Sequence, residues 1–270
     1  MNLGELNARG LVLLGCGKMG SALLEGWLKR GLKADAVHVI EPRPSDWLRA
    51  TGARINDTLP EAPALVVLAV KPQMMGEALP QLAAMGNGTT VFLSIAAGTG
   101  LARLGQVLGS ATPIIRAMPN TPAAVGRGIT ALIANAHVQP AAMDLAEALM
   151  GAVGQTVRLQ DEAQMDAVTA LSGSGPAYVF HLIETLAAAG EAQGLPAEMA
   201  LHLARATVAG AGALAEEAAE SPAQLRINVT SPNGTTAAAL AVLMDPEQGF
   251  PALLNRAVGA AAQRSRELGE

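Results

Sequence analysis

The stretch "GLVLLGCGKMGSALLEGWLKRG", residues 10–31, decides the fold. It opens with a continuous apolar run, Leu11–Leu14, which is typical of a short strand buried on both faces. Three glycines follow at G-x-G-x-x-G spacing, Gly15, Gly17 and Gly20, and an apolar pattern of helical period completes the stretch. A strand, a glycine loop and a helix in this order predict a dinucleotide-binding unit.

Each glycine has a different task in such a unit. Gly15 permits a tight turn, Gly17 lets the backbone approach a pyrophosphate, and Gly20 lets the helix pack closely on the strand. The helix N-terminus offers free N–H groups and a partial positive charge to the phosphates. The alternative is a glycine-rich turn that binds no ligand.

The end of the next predicted strand, Val37–Ile40, carries two opposing signals about the cofactor. Glu41 stands where an acid holds the ribose hydroxyls of NAD, whereas Arg43 can bind the 2′-phosphate of NADP. A proline follows each of them and favours extended backbone, so the two side chains can share one side of the turn and pair. We expect a modest preference for NADPH, with usable NADH activity.

Further apolar runs predict more strands, separated at first by helices. Alternating strands and helices predict an α/β fold with a doubly wound, mostly parallel sheet, whose ligands lie outside the carboxyl ends of the strands. Lys71 follows one such strand, where it acts as a catalytic amine or lines the cleft through its backbone, which we favour. The predicted strands are 65–70, 89–98, 113–118, 129–134 and 155–159, with helices at roughly 73–84 and 101–108.

After Leu159 the strand pattern stops and Ala-rich helical patterns take over. The first, residues 161–195, is interrupted by "GSGP", and Pro176 predicts a kink or local opening there. Further helices are predicted at about 196–219, 235–244 and 249–268. The second half is therefore predicted to be a small all-helical domain.

The polar stretch "TSPNGTT", residues 230–236, directly precedes an apolar run that indicates a buried helix. The first N–H groups of a helix have no partners within it and bind anions readily. Hydroxyls on Ser231, Thr235 and Thr236, with the flexible Gly234, can complete a cradle for a small carboxylate. The alternative is ordinary helix capping, which needs only one hydroxyl.

Composition argues against several classes of protein. Aromatic residues make up 2% of the chain and the net charge is −5, which argues against nucleic-acid binding. The single cysteine, Cys16, allows no internal disulfide and fits a reducing compartment. The N-terminus lacks the pattern of a signal peptide, and no apolar run reaches the ~20 residues that span a bilayer. We expect a cytoplasmic protein with no membrane partner.

Six segments resemble the pyrroline-5-carboxylate reductase family, across almost the whole chain. The resemblance implies a Rossmann-type domain at residues 1–159 and an all-helical domain at 160–270 that binds substrate and dimerises. It also implies homodimers that assemble further, typically as a decamer of five dimers. The segments are "GCGKMG" (15–20), "AVKPQ" (69–73), "SIAAG" (94–98), "RAMPNTPAAVGRG" (116–128), "DAVTALSGSGPAYVFHLIE" (166–184) and "LRINVTSPNGTTAAAL" (225–240).

The same resemblance implies the residues of the site. Two positions depart from the family: Lys18 stands where Asn is common, and Asn233 stands where Gly is frequent. The implied substrate contacts are Glu162, Ser231, Gly234, Thr235 and Thr236. The implied cofactor contacts are Leu14, Gly15, Cys16, Gly17, Lys18, Met19, Asn56, Ala69, Val70, Lys71, Pro72, Ala96, Ala97, Gly98 and Asn228, which join Glu41 and Arg43.

The family reduces a cyclic imine that bears a carboxylate, using hydride from NAD(P)H. We expect Thr236 to hydrogen-bond the ring nitrogen and Glu162 to stabilise its positive charge. Two alternatives stay open: a β-hydroxyacid dehydrogenase-like enzyme, which needs a lysine that residues 159–270 lack, and a non-catalytic sensor of NADP or proline. His181 and Glu184, one helical turn apart, are too few for a metal site, and we expect none.

Overall fold

The structure, a computed structural model, describes residues 3–269. Its strands, numbered β1 to β8 in chain order, are Leu11–Leu14, Val37–Ile40, Arg54–Ile55, Leu65–Leu68, Val91–Ser94, Ile114–Met118, Gly128–Ala134 and Gly154–Arg158. Its α-helices, α1 to α12, are Gly4–Arg9, Lys18–Lys29, Asp46–Ala50, Met75–Ala78, Leu101–Leu108, Pro140–Met150, Gln164–Val168, Gly175–Ala192, Ala197–Glu217, Pro222–Asn228, Thr235–Leu243 and Phe250–Gly269.

The strands form one sheet in the order β3-β2-β1-β4-β5-β6-β7-β8. All pairs are parallel except β6 with β7, which are antiparallel. The predicted doubly wound, mostly parallel sheet is therefore confirmed. The strand order reverses between β1 and β4, and ligands bind at such a point in open α/β sheets.

Both faces of the sheet are covered. The four residues of β1 are at most 3% exposed, although their side chains alternate between the two faces. Leu11 and Leu13 pack into a core that includes Trp27 of α2, whereas Val12 and Leu14 pack into a second core. Burial on both sides explains why the strand is continuously apolar rather than alternating.

The break predicted at Pro176 is present as a change of helix type. A π-helical segment, Thr169–Gly173, separates α7 from α8, and Pro176 lies in the first turn of α8. A proline is tolerated there because its missing N–H would have no partner within the helix.

The compact units of the chain do not coincide with the domains 1–159 and 160–270 predicted from the sequence. The first unit runs to Gly173 and takes in the end of α12 from Ala261, and the second is Ser174–Ala260. Ser265 of α12 is buried and donates a hydrogen bond of 2.6 Å to Asp166 of α7. Packing thus assigns α7 and the end of α12 to the sheet-bearing unit.

The second unit buries little of its apolar surface within one chain. Ala187, Ala200 and Ala204 are buried on α8 and α9, where small side chains let the helices approach closely. Many large apolar side chains of this unit are exposed, among them Phe180, Leu203, Leu214, Val242 and Leu254. An apolar surface of this extent indicates an interaction face.

No helix within residues 3–269 is long and apolar enough to cross a membrane.

Candidate functional site

The loop after β1 has the close packing that its glycines were predicted to serve. Gly15 has φ of 90°, and a Cβ there would lie 2.8 Å from the carbonyl oxygen of Ala69. A Cβ on Gly20 would lie 2.5 Å from the carbonyl oxygen of Gly15. Any side chain at these two positions would therefore force the loop away from β4 or from α2.

Gly17 differs from its two neighbours because the space beside it is open. A Cβ built on Gly17 meets no atom within 4 Å. Gly17 is also the N-cap of α2, and no side chain caps this helix. The N–H groups of the first turn, at Lys18 and Met19, have no acceptor within the helix. The open space and these donors fit the pyrophosphate of a dinucleotide.

Hydrogen bonds hold Glu41 both at its carboxylate and at its main chain. Its carboxylate accepts from the N–H groups of Cys16, at 2.9 Å, and Arg43, at 3.0 Å. The side-chain amide of Asn56 bonds both the N–H and the carbonyl oxygen of Glu41, at 3.0 and 2.9 Å. The contact between Glu41 and Arg43 therefore involves the backbone of Arg43, and the carboxylate links the glycine loop to the turn after β2.

Cys16 lies in the glycine loop but is not a nucleophile at neutral pH. Burial, and secondarily the charge of Glu41, raise the pKa of the thiol to about 11. The thiol therefore stays protonated, and the thiolate is the reactive form. What Cys16 contributes is its backbone N–H.

The other predicted cofactor turns follow β4 and β5, beside the glycine loop. Ala69–Pro72 follows β4, and the N–H of Ala69 donates to the carbonyl oxygen of Leu14 at 2.7 Å. Ala96–Gly98 follows β5, and Gly98 has φ of 72°. The carboxyl ends of β1, β4 and β5 thus bring three predicted cofactor segments to one edge of the sheet.

The predicted carboxylate cradle opens α11. Gly234 is the N-cap, and no side chain caps the helix, so the hydroxyls nearby are not used for capping. The N–H of Gly234 donates to the carbonyl oxygen of Ser231 at 3.1 Å, and the Ser231 hydroxyl occupies the space that a side chain on Gly234 would need. Asn233 has φ of 59°, in the left-handed region that glycine favours and asparagine tolerates.

The helix behind the cradle is not buried, contrary to the interpretation of its apolar sequence. No residue of α11 is buried within the single chain, and Val242 is 72% exposed. An apolar run of this kind cannot be distinguished from a core helix by its sequence alone. Its exposed apolar side chains belong instead to the uncovered surface of the second unit.

Asn228, the remaining predicted cofactor contact, is the last residue of α10. It is exposed, and its side-chain oxygen accepts a hydrogen bond from Gln224 at 2.8 Å. The hydroxyl of Thr230 donates to the carbonyl oxygen of Arg226 at 2.6 Å, so it is used at the C-terminal end of α10 and not in the cradle.

Glu162 has a role that its sequence context does not reveal. One carboxylate oxygen, Oε1, accepts from the N–H of Leu101, at 2.8 Å, and from Nη1 of Arg116, at 2.9 Å. The Arg116 side chain is 8% exposed, and that of Glu162 is 33% exposed. The substrate contact predicted for Glu162 stays a prediction.

Two protein-family models match different parts of the chain. Residues 11–98 match the family model described as NADP oxidoreductase, coenzyme F420-dependent. Residues 162–268 match the model of pyrroline-5-carboxylate reductase dimerisation. A pyrroline-5-carboxylate reductase from Pseudomonas aeruginosa is 41% identical over 266 residues, which cover 96% of this chain and 97% of that protein.

The chain belongs to the pyrroline-5-carboxylate reductase family.

Other family members agree in sequence and in structure. The reductase from Synechocystis sp. is 42% identical over 267 residues, 96% of this chain and 98% of that protein. The structure of the Coxiella burnetii reductase has a TM-score of 0.89 and 35% identity, and covers 97% of this chain and 99% of its own. The Plasmodium falciparum enzyme, with NADP bound, has a TM-score of 0.85 and 29% identity, covering 98% and 99%.

Family membership confirms that the chain is an oxidoreductase with a dinucleotide-binding fold, and it decides against a β-hydroxyacid dehydrogenase.

His181 and Glu184 contact each other at 3.2 Å on an exposed face of α8. Within residues 3–269, no three His, Cys, Asp or Glu side chains group closely enough to hold a metal ion.

Sequence reasoning missed Arg116 and Leu101. Arg116 lies in "RAMPNTP", one of the segments that resemble the family, but nothing in that segment says that its charge is buried. A charged residue at the centre of an apolar run such as "PIIRAM" indicates a buried charge that has a partner elsewhere in the chain, because buried charges are rarely left unpaired. Its partner lies 46 residues away, too far for a local pattern to find.

Arg43→Ala is expected to raise the KM for NADPH by about tenfold and to leave the KM for NADH nearly unchanged. Arg43 follows the fixed Glu41 and is exposed, so its guanidinium is available to a 2′-phosphate. Steady-state kinetics with each cofactor checks this, with Arg49→Ala of α3, another exposed arginine, as the control. Equal weakening of both cofactors would remove Arg43 from 2′-phosphate recognition.

Proposed function

We propose that this chain reduces 1-pyrroline-5-carboxylate to L-proline with NAD(P)H, the last step of proline synthesis. The observation that carries the proposal is the match to curated reductases along nearly the whole chain. The open glycine loop and the uncapped start of α11 agree with it, because they suit a dinucleotide and a small carboxylate.

The first unit is proposed to hold the cofactor, which supplies the hydride from C4 of its nicotinamide when it is bound. The glycine loop binds the pyrophosphate, Glu41 contacts the adenosine ribose, and Arg43 contacts its 2′-phosphate. The turns at the ends of β4 and β5 line the rest of the cleft. The proposed contacts are Leu14, Gly15, Cys16, Gly17, Lys18, Met19, Glu41, Arg43, Asn56, Ala69, Val70, Lys71, Pro72, Ala96, Ala97 and Gly98, with Asn228 of the second unit.

The start of α11 is proposed to hold the substrate. The free N–H groups of its first turn and the hydroxyls of Ser231 and Thr235 bind the carboxylate, and Gly234 keeps the main chain accessible. Thr236 Oγ accepts a hydrogen bond from the N–H of the protonated imine and so stabilises the protonated form, whose imine carbon is more electrophilic than that of the neutral imine. Catalysis is then mainly orientation and electrostatic stabilisation, with no need for a histidine.

The activity is tested by following NAD(P)H oxidation by the purified chain. We expect oxidation only when 1-pyrroline-5-carboxylate is added, with proline as the product. A chain that binds NADPH tightly and never oxidises it would instead be a non-catalytic sensor.

We propose that the protein is a homodimer through its helical unit and that the dimers assemble further, as a decamer. The exposed apolar side chains on α8, α9 and α11 support a self-association surface, because a single chain leaves them in water. The dimerisation model that matches residues 162–268 covers the same helices.

The full chain is expected to sediment as a dimer or a larger assembly. Leu203→Glu, which places a charge on an exposed apolar position of α9, is expected to shift the chain toward the monomer. Val107→Glu on α5 of the first unit is the matched control, since its side chain is similarly exposed. Analytical ultracentrifugation that shows a folded wild-type monomer at micromolar concentration would contradict the proposed dimer.

We also propose a cytoplasmic location. The chain has a single cysteine and no means of forming an internal disulfide, which suits a reducing compartment. The reaction consumes a reduced nicotinamide cofactor, so it belongs where that cofactor is regenerated.

A further inference from the structure

We infer that Glu162 is a positioning residue that holds the cofactor turn Ala96–Gly98 in place through the start of α5. The inference rests on the proposed function, since it takes this turn to line the cofactor cleft. It gives Glu162 a task distinct from contact with the imine.

The start of α5 depends on Glu162 because the chain offers no local cap. The helix begins at Leu101, three residues after the turn ends, and its N-cap is Gly100, which has no side chain to accept a hydrogen bond. Glu162 Oε1 accepts the Leu101 N–H at 2.8 Å, from 61 residues away. A carboxylate at a helix N-terminus is also favoured by the helix dipole.

The approach of Glu162 to this main chain is close. A Cβ on Gly100 would lie 3.4 Å from Oε1, so the carboxylate lies against the N-cap itself. Glycine at this position leaves room for an acceptor that comes from another part of the chain. Glu162 thus takes the place that a serine or aspartate at the N-cap would fill in most helices.

Arg116 fixes Glu162 from the sheet side. Its Nη1 donates to the same oxygen, Oε1, at 2.9 Å, and its side chain is almost fully buried. Arg116 pairs in register with Ser94, the last residue of β5, from which the turn emerges. Glu162 is therefore the carboxylate that balances the buried Arg116 guanidinium, whose Nε has no hydrogen-bond partner.

The end of α12 holds the turn on its other side. Gly98 lies so close to Leu268 that a Cβ on Gly98 would be 3.0 Å from the Leu268 carbonyl oxygen. Ser265 donates a hydrogen bond to Asp166, which lies in α7 four residues after Glu162, and this bond anchors the end of α12. The turn is therefore held at Gly98 by α12 and at Leu101 by Glu162, and loss of either support would let it move.

The experiment measures NADPH binding without substrate, by isothermal titration calorimetry on the full-length protein. Glu162→Gln keeps an oxygen acceptor for Leu101 and Arg116 but removes the charge. Glu162→Ala removes the acceptor. Glu147→Ala, which removes a carboxylate that pairs with the exposed Arg158 near the edge of the sheet, is the matched control.

A positioning role predicts that Glu162→Ala weakens NADPH binding by about tenfold, that Glu162→Gln, which keeps the acceptor but leaves the Arg116 charge unpaired, weakens it less, and that Glu147→Ala stays within about twofold of wild type. A role at the imine predicts the reverse: cofactor affinity unchanged in all variants, and kcat lowered equally by Gln and Ala. That second pattern would overturn the inference. A wild-type chain that does not bind NADPH would instead overturn the proposed function.

Leu101→Pro keeps the test decisive if Glu162→Ala does not fold. Proline is favoured at the first position of a helix and removes the N–H that Glu162 accepts. Leu101→Ala, which keeps this N–H, controls for loss of the leucine side chain that packs against the second core. The extended backbone of Gly100, with φ of −74° and ψ of 162°, is compatible with a following proline. We expect NADPH binding to weaken about as much as in Glu162→Ala; unchanged binding in this variant would also contradict the positioning role.

Discussion

Gly17→Val is expected to abolish NAD(P)H binding while the chain stays folded. The side chain would enter the open space beside the first turn of α2, where the pyrophosphate is proposed to bind. The loss should exceed about a hundredfold, because several charge-assisted hydrogen bonds of roughly 1.5–3 kcal/mol each are blocked together. Calorimetric titration with NADPH measures the affinity, and circular dichroism measures the melting temperature.

Stability is expected to survive because the backbone of Gly17 is ordinary. Its φ of −72° and ψ of −160° are accessible to any residue, and a Cβ there meets no protein atom within 4 Å. Gly105→Val, a glycine of α5 with equally open surroundings, is the control for the cost of valine itself. NADPH binding that survives Gly17→Val would mean that the phosphates do not approach this loop.

Thr236→Ala is expected to lower kcat by about 10- to 150-fold, which corresponds to roughly 1.5–3 kcal/mol for a hydrogen bond to a charged group. NADPH affinity should stay near that of wild type, because the hydroxyl acts at the ring nitrogen of the substrate. Thr236→Ser should recover most of the rate, since it keeps the hydroxyl. Pre-steady-state measurement of hydride transfer separates this effect from product release.

The control for Thr236 is Thr230→Ala. The Thr230 hydroxyl donates to the carbonyl oxygen of Arg226, so its loss should reduce stability and leave kcat largely unaffected. If Thr236→Ala also leaves the rate of hydride transfer unchanged, its hydroxyl does not contact the reacting nitrogen.

Several strands could be predicted because they are short, apolar runs, and some of them, such as Leu11–Leu14 between Gly10 and Gly15, are bounded by glycine. The predictions of Leu11–Leu14, Val37–Ile40 and the helix at 101–108 match the structure. The region predicted as one helix at roughly 73–84 is instead α4 flanked by two short 3₁₀ segments, one of which begins at Pro80. Proline in a helix interior removes a hydrogen bond and shortens the helix.

Other elements could not be predicted because tertiary context decides them. The helix Pro140–Met150 was missed, although Pro140 at its first position is a recognised start signal. The antiparallel β7 depends on its pairing with β6, which no local pattern encodes. The exposure of α11 likewise depends on what covers the helix rather than on its own sequence.

The candidate site was predictable where a motif has a local physical cause. The glycine loop is such a case, since Gly15 and Gly20 answer to close contacts with the segment after β4 and within the same strand-loop-helix unit, and Gly17 leaves open the space beside the start of α2. The links made by Asn56 to Glu41 and by Glu162 to Leu101 join residues distant in sequence. The sequence alone reveals neither of these main-chain partners, and the ligand contacts of both side chains stay predictions.

The most direct test of the central claim is the fate of the hydride. The purified chain is incubated with 1-pyrroline-5-carboxylate and NADPH that carries deuterium at C4, in separate samples for the two faces of the nicotinamide. We expect one of the two to place a single deuterium on the δ-carbon of proline, observed by mass spectrometry and NMR. Proline without deuterium in both samples, or no proline at all, would contradict the assignment of this chain as a reductase of the cyclic imine.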